Sequence, residues 1–68
     1  MAVQILVNGR AEVLHDPVTV QDYLNGKGLS PHGLAVQRNG EILARDSLAT
    51  TWLADNDRLE LIRIVGGG

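Results

Sequence analysis

The sequence predicts an α+β domain in which a mixed sheet of four or five strands packs on one helix. Three observations support this fold class. Asn-Gly pairs between apolar runs, at residues 8–9 and 39–40, predict two hairpins. A helical spacing of apolar residues follows Thr19, and a final strand-like run leads into glycines. The length of 68 residues allows one domain with a small core, which we expect to be ordered to about residue 65, with a flexible tail at 66–68.

The composition argues against several classes of protein. A net charge of −2 and a pI near 5.4 argue against a nucleic-acid binder, which usually has a basic face. The absence of cysteine excludes disulfides, a thiolate nucleophile and a zinc-finger site. His15 and His32 lack metal-ligand spacing and are expected on the surface. Because no signal peptide or membrane-spanning run is recognised and cysteine is absent, we expect a cytoplasmic protein.

The first hairpin is predicted at the start of the chain. Val3–Val7 alternates and is β-branched, as a half-buried strand requires. Asn8-Gly9 follows, and both central residues of a type I′ turn need positive φ, which asparagine and glycine tolerate. The return strand is expected at Ala11–His15, and Asp16-Pro17 ends it because proline cannot continue the ladder.

A helix of about two turns is predicted next. Thr19 is expected to be its N-cap, and Asp22 stands at the third helical position of a capping box. The positions at helical spacing form one stripe: Val20, Tyr23, Leu24 and the stem of Lys27. Gly26 and Gly28 are expected to end the helix with left-handed dihedrals. So short a helix is unstable alone and must pack on the sheet.

The second hairpin and an irregular segment follow a loop at Ser30–Gly33. Leu34–Arg38 is predicted as a strand, Asn39-Gly40 as its turn, and Glu41–Leu43 as a short fourth strand. We then expect a single helical turn, capped by Asp46 or Ser47, that runs from Leu48 to Trp52. Trp52 and Leu53 are expected in the core. Asp55 and Asp57 resemble a carboxylate pair, but their residue types favour a turn over acid–base catalysis.

The final strand, Arg58–Val65, has two different faces. Leu59 and Leu61 are expected to face the core, whereas Glu60, Ile62 and Ile64 face outward. The outward isoleucines cover either a lateral core layer or a surface for a partner, and we favour the partner because exposed apolar patches usually have one. For this strand to lie centrally in the sheet, it should pair with the first strand.

Three glycines, Gly66–Gly68, follow the final strand. Fully extended they reach roughly 10 Å, enough to thread a narrow channel in another protein without a blocking side chain. The reactive group at their tip would be the carboxylate of Gly68. The alternative is a frayed terminus or an expression scar, and these residues alone do not favour either reading.

The order of elements resembles the β-grasp fold of ubiquitin, and the chain resembles ThiS-type sulfur carrier proteins of thiamine biosynthesis, which are ubiquitin-like. The resemblance runs almost end to end and rests on these residues: Val3–Gly9, Thr19-Val20, Leu24, Leu34–Val36, Asn39, Glu41-Ile42, Arg45–Ser47, Leu53, Asp57, Leu59–Leu61 and Val65–Gly68. The terminal Gly67-Gly68 is the most specific part. The chain departs at Ala44, Leu48 and Asn56, where relatives often carry Pro, Trp and Gly, and it has a third glycine before the terminal pair.

The resemblance implies a function as a protein-bound co-substrate without catalytic residues, bound cofactor or metal. In this family a ThiF-type adenylyltransferase uses ATP to adenylate the terminal carboxylate. A sulfur donor, such as a cysteine desulfurase system, then displaces AMP to leave a thiocarboxylate, and thiazole synthase receives the sulfur. Gly68 would be modified, with Gly66 and Gly67 threading the partners' active sites. Partner docking is expected at five residues: Glu60, Ile62, Arg63, Ile64 and Val65.

Other functions of the same fold stay open. A small subunit of molybdopterin synthase, or a carrier for another sulfur pathway, shares fold and tail, so fold analogy does not separate them. A ubiquitin-like modifier or a passive interaction domain belongs to a different class. At the level of single residues, Arg63 is about as readily a solvated charge as a contact.

Overall fold

The computed structural model describes residues 2–64. Its elements, in chain order, are β1 (Val3–Val7), β2 (Arg10–Leu14), α1 (Val20–Gly26), β3 (Leu34–Arg38), β4 (Glu41–Ile42), a short 3₁₀ turn (Arg45–Ser47) and β5 (Arg58–Arg63). The predicted α+β class is confirmed, and each predicted strand is found within one or two residues of its expected bounds. The expectations for Val65 and for the tail at 66–68 lie outside the described residues.

The five strands form one mixed sheet in the order β2-β1-β5-β3-β4. β5 lies at the centre and pairs parallel with β1, where Leu6 lies opposite Arg58. The other neighbours are antiparallel, and β3 pairs with β5 from Leu34 opposite Arg63 to Arg38 opposite Leu59. The predicted pairing of the last strand with the first is therefore confirmed.

Both hairpins turn at their Asn-Gly pairs, as predicted. Asn8 and Gly9 have φ of 51° and 83°, and Asn39 and Gly40 have φ of 53° and 87°. The two asparagine side chains also bond to β5: Oδ1 of Asn8 accepts from the Leu61 N–H at 2.8 Å, and Oδ1 of Asn39 accepts from the Arg58 N–H at 2.9 Å. Each turn thus helps to hold the central strand.

The helix begins and ends with complete caps. The Asp22 N–H donates to Oγ1 of Thr19 at 3.1 Å, and the Thr19 N–H donates back to Oδ2 of Asp22 at 3.4 Å, which confirms the capping box. At the other end Gly28 has φ of 71°, and the Leu29 N–H bonds to the Leu24 carbonyl at 2.9 Å. The prediction for Gly26 was wrong, because Gly26 is the last helical residue and only Gly28 takes the left-handed conformation.

The core lies between α1 and the inner face of the sheet. The three apolar residues of the predicted helical stripe are buried, whereas Lys27 at its edge is exposed. The buried partners of the stripe come from strands β1, β3 and β5 and from the segment before β5. The buried hydrophobic side chains are Ile5, Val7, Val20, Tyr23, Leu24, Val36, Leu48, Leu53 and Leu59. A row of alternate strand residues therefore meets one helical stripe, as a two-layer domain requires.

The segment between β4 and β5 differs from its prediction. The 3₁₀ turn lies at Arg45–Ser47, earlier than expected, and no side chain caps it. Leu53 is buried as predicted, but Trp52 is 58% exposed, so its assignment to the core was wrong. The reason is local geometry: Trp52 forms a β-bridge with Thr19, and successive side chains of an extended segment point in opposite directions. Because Leu53 points inward, Trp52 points outward.

Candidate functional site

The two faces of β5 are as the sequence predicts. Leu59 is buried and Leu61 packs against the core, whereas Glu60 is exposed on the opposite face. Ile62 is 45% and Ile64 is 55% exposed. Because about half of each side chain is exposed within residues 2–64, neither isoleucine is buried in a lateral core layer, and the partner surface stays a prediction.

Further apolar side chains share this side of the sheet. We use the name outer face for the strand residues directed away from α1; its exposed large hydrophobic residues are Leu6, Val13, Ile42 and Ile62. Leu6, Val13 and Ile42 were not proposed from the sequence. For Leu6, the alternation with buried Ile5 and Val7 was an available signal, but only the sheet order shows that four different strands contribute to one face.

The structure divides the predicted docking residues between two sides. Glu60 and Ile62 belong to the outer face. Arg63 alternates with them and faces the α1 side, where it lines an open groove together with the loop that follows the helix. Ile64, which was predicted to share the outward face with Glu60 and Ile62, lines this groove as well. The groove contains Gly28, Leu29, Ser30, His32, Gly33, Leu34, Arg63 and Ile64. Arg63 and Ile62 therefore cannot contact the same flat surface of a partner.

The final described residues of β5 are held by β3 and its preceding loop. Ala35 lies opposite Ile62 and Leu34 opposite Arg63. The N–H of Ile64 donates to the Gly33 carbonyl at 2.8 Å, and Gly33 has φ of 79°. The chain is therefore held by hydrogen bonds as far as Ile64, two residues before the first of the three glycines.

Asp57 is a buried carboxylate that positions the start of β5. Its Oδ2 accepts from the Ala54 N–H at 2.8 Å and from Nε of Arg38 at 2.9 Å, and its Oδ1 accepts from Nδ2 of Asn39 at 3.0 Å. Burial by itself raises the pKa of Asp57, but these three donors and the Arg38 charge outweigh burial and leave the pKa lowered. The sequence alone predicted only a turn here, because the side-chain partners Arg38 and Asn39 lie 19 and 18 residues earlier in the chain.

Asp55 does not form a catalytic pair with Asp57. Its Oδ1 accepts from the Gln4 N–H at 2.8 Å, and the Asn56 N–H donates to the Gln4 carbonyl at 2.7 Å. Both carboxylates therefore bond to parts of the fold around β5, and the predicted turn is confirmed at Asp55–Asp57. Because each carboxylate accepts hydrogen bonds from its own donors in the fold, the two stabilise the structure and do not form an acid–base pair.

A second polar cluster joins α1 to β2. The Tyr23 hydroxyl donates to Oε2 of Glu12 at 2.7 Å, and Nζ of Lys27 lies 3.0 Å from Oε1 of Glu12. The Tyr23 hydrogen bond, aided by Lys27 and only partly opposed by burial, lowers the pKa of Glu12. Burial and the bond to Glu12 raise the pKa of Tyr23. The cluster orients the helix on the sheet and uses the lysine that the sequence placed at the edge of the stripe.

The described residues contain neither a cluster of potential metal ligands nor a helix that could span a membrane. Within residues 2–64, no three or more acidic, histidine or cysteine side chains come together as metal ligands. Over the same residues, no helix has the length and apolar character needed to cross a membrane.

Comparisons with known proteins agree on one family. The model of the ThiS family matches residues 2–68. The sulfur carrier protein ThiS of Bacillus subtilis is 36% identical over 53 residues, which are 78% of this chain and 80% of that one. The uncharacterized protein ycf40 of Pyropia yezoensis is 35% identical over 66 residues, covering 97% of this chain and 93% of that protein.

A larger protein and a solved structure are also similar to this chain. The thiazole synthase of Paramagnetospirillum magneticum is 32% identical over 65 residues, 96% of this chain, which spans only 20% of that protein's length. The crystal structure of thiamine biosynthesis protein ThiS from Geobacter metallireducens has a TM-score of 0.84 and 26% identity, covering 97% of this chain and 100% of that one. The ubiquitin-like β-grasp fold expected from the sequence is confirmed by this similarity.

Proposed function

The chain belongs to the ThiS family of sulfur carriers in thiamine biosynthesis, and on that basis we propose that it carries sulfur as a thiocarboxylate on Gly68. The observation that carries the proposal is the extent of the family match, which continues through residue 68 and so includes the three glycines. The hydrogen bond that holds Ile64, two residues before the first glycine, supports the same function because it gives the terminal segment a defined starting point.

The proposed chemistry begins at a carboxylate, which is a poor electrophile. A carboxylate oxygen of Gly68 attacks the α-phosphate of ATP in a ThiF-type adenylyltransferase, and pyrophosphate leaves. The sulfur of a hydrosulfide then attacks the carbonyl carbon, the bond from carbon to the AMP oxygen breaks, and the thiocarboxylate remains. Where a cysteine desulfurase system donates a persulfide, a thiol must afterwards cleave the resulting S–S bond. ATP and the catalytic groups belong to the partners.

We propose that the acceptor of the sulfur is thiazole synthase. The support is that proteins named thiazole synthase contain a segment similar to nearly all of this chain. Glu60 and Ile62 of the outer face would dock on one part of the partner, and Val65 and the glycines would continue into its active site. Arg63 and Ile64, which both line the groove, would contact a different part of the partner.

The test is the intact mass after incubation with ATP, the cognate activating enzyme and sulfide. We expect a gain that matches one oxygen exchanged for sulfur, located on Gly68 by fragmentation. A variant that lacks Gly68 is the control and should stay unchanged. An unchanged wild-type mass, with an enzyme shown to be active, would overturn the proposal. A ladder of isopeptide conjugates on lysines would instead favour a modifier, and transfer of sulfur to a molybdopterin precursor would favour that pathway.

A further inference from the structure

We propose that the open edge of β5 at Leu61–Arg63 is a site of β-strand addition, where an extended segment of thiazole synthase pairs with the backbone. This inference rests on the proposed function for the identity of the partner. The recognition itself would be made by backbone hydrogen bonds, which act alongside the side chains of the outer face.

The backbone N–H and carbonyl groups along the two edges of β5 are paired to different extents. The even-numbered residues direct their backbone groups to β3, as the bonds of Arg58 to Asn39 and of Ile64 to Gly33 show. The odd-numbered residues point to the β1 side, where the Asn8 N–H donates to the Leu59 carbonyl at 2.9 Å. Pairing with β1 extends only to Leu59, because the chain leaves the sheet at the turn after Val7.

One side chain closes part of the remaining edge. Oδ1 of Asn8 accepts from the Leu61 N–H at 2.8 Å, so this amide is satisfied although no strand reaches it. Beyond it, no group in residues 2–64 bonds to the N–H of Arg63, and no strand faces its carbonyl or that of Leu61. Beyond the Leu61 N–H, this edge of β5 is therefore unpaired. It lies close to the segment that, under the proposed function, enters the active site of a partner.

These three open groups match the needs of a partner strand. In antiparallel pairing, the N–H and carbonyl of Arg63 would both bond to one partner residue. In parallel pairing, the Leu61 carbonyl would accept from the N–H of one partner residue, and the Arg63 N–H would donate to the carbonyl of that same residue. The exposed Ile62 and Ile64 flank this position, so apolar contact would accompany the hydrogen bonds. Natural proteins usually protect exposed sheet edges, and this one is left open beside the docking surface.

Proline at position 63 gives a selective test, because it removes the one N–H that points to the open edge. Proline is tolerated where a strand N–H faces solvent, and the β3 ladder uses Ile62 and Ile64 rather than Arg63. We expect Arg63→Pro to weaken binding to thiazole synthase about tenfold relative to Arg63→Ala, which keeps the N–H and removes the same side chain. Circular dichroism of both variants would show whether they are folded.

Amide hydrogen exchange of the wild-type protein provides a test that does not depend on a variant. In the free protein we expect the Arg63 amide to exchange rapidly and the Ile64 amide slowly. In a saturated complex with the synthase, exchange at Arg63 should slow at least about tenfold.

The possible outcomes distinguish failure of this inference from failure of the proposed function on which it rests. A complex in which the Arg63 amide still exchanges freely, or in which folded Arg63→Pro and Arg63→Ala bind equally, overturns strand addition and leaves the sulfur carrier function standing. Protection that appears with the activating enzyme but not with the synthase overturns the assignment of the partner. A wild-type protein that is converted to the thiocarboxylate but does not bind the synthase overturns the inference and the proposed acceptor, while the carriage of sulfur on Gly68 stands. Failure of conversion overturns the carriage of sulfur itself.

Discussion

Replacement of Asp57 by alanine is expected to lower the free energy of unfolding by about 3 kcal/mol. Asp57 is 4% exposed and its carboxylate accepts hydrogen bonds from three donors, so its loss leaves the Ala54 N–H, Arg38 and Asn39 without their acceptor. A domain of this length is stable by only about 3–10 kcal/mol, so the loss is a large fraction of the total. Denaturant unfolding followed by circular dichroism measures it.

Asp55→Ala is the matched control for Asp57→Ala. Asp55 lies in the same turn and also accepts a backbone N–H, but it is exposed, so we expect its removal to cost less than about 1 kcal/mol. Equal unfolding free energies for the two variants would contradict the role assigned to the buried carboxylate.

The stability of the wild-type protein should also fall in acid because of the same residue. The pKa of Asp57 is lower in the folded chain than its ordinary value of 3.8, so the folded state favours the ionised form. This contribution is complete above the ordinary carboxyl pKa and is lost as the pH falls through the lower folded value. Glu12, whose pKa is also lowered, acts in the same direction. Unfolding free energies measured from neutral pH to strong acid should fall less steeply for Asp57→Ala; parallel curves would contradict this assignment.

Ile62→Asp is expected to weaken binding to both proposed partners about a hundredfold. The substitution would place a charge where an apolar side chain meets the partner, and an unpaired charge is costly to remove from water. The fold should be retained, because Ile62 is 45% exposed and lies on the outer face rather than in the core. Adenylation rates with the activating enzyme, and sulfur transfer from a preformed thiocarboxylate to the synthase, measure the two interactions separately.

Val13→Asp is the control for Ile62→Asp. Val13 is 53% exposed on the same face, but it belongs to the edge strand β2 rather than to β5. We expect this variant to keep near-normal activity with both partners if docking is centred on β5. Loss of adenylation by Ile62→Asp with full competence of the preformed thiocarboxylate would show instead that the two partners use different residues.

The parts of the fold that sequence predicted well depend on local chemistry. Asn8-Gly9 and Asn39-Gly40 specify their turns through backbone conformation, and Thr19 and Asp22 lie close enough to cap the helix without help from distant residues. The alternation along β5 likewise predicted which side chains would be buried. In each case the residues that determine the structure are neighbours in the chain.

The parts that were missed depend on contacts between distant segments. Asp57 looked like any turn residue, because its partner Arg38 is on another strand. Trp52 was assigned to the core by its size, although the β-bridge with Thr19 turns it outward. Within the candidate site, the alternation did imply that Arg63 and Ile62 face opposite sides. The groove beside Arg63 was not predictable, since a loop from another part of the chain forms its other wall.

The central position of β5 also has a consequence for the time course of folding. In the sheet, β5 is the strand that joins the β1–β2 hairpin to the β3–β4 hairpin, and its parallel contact with β1 spans almost the whole domain. Local hairpins form quickly, whereas contacts between distant residues must overcome the entropy of closing a long loop. Each hairpin can therefore form early, whereas the complete sheet can form only after β5 has been synthesised. A partner that recognises the outer face can distinguish a finished domain from a nascent one, because that face does not exist until β5 has joined the two halves.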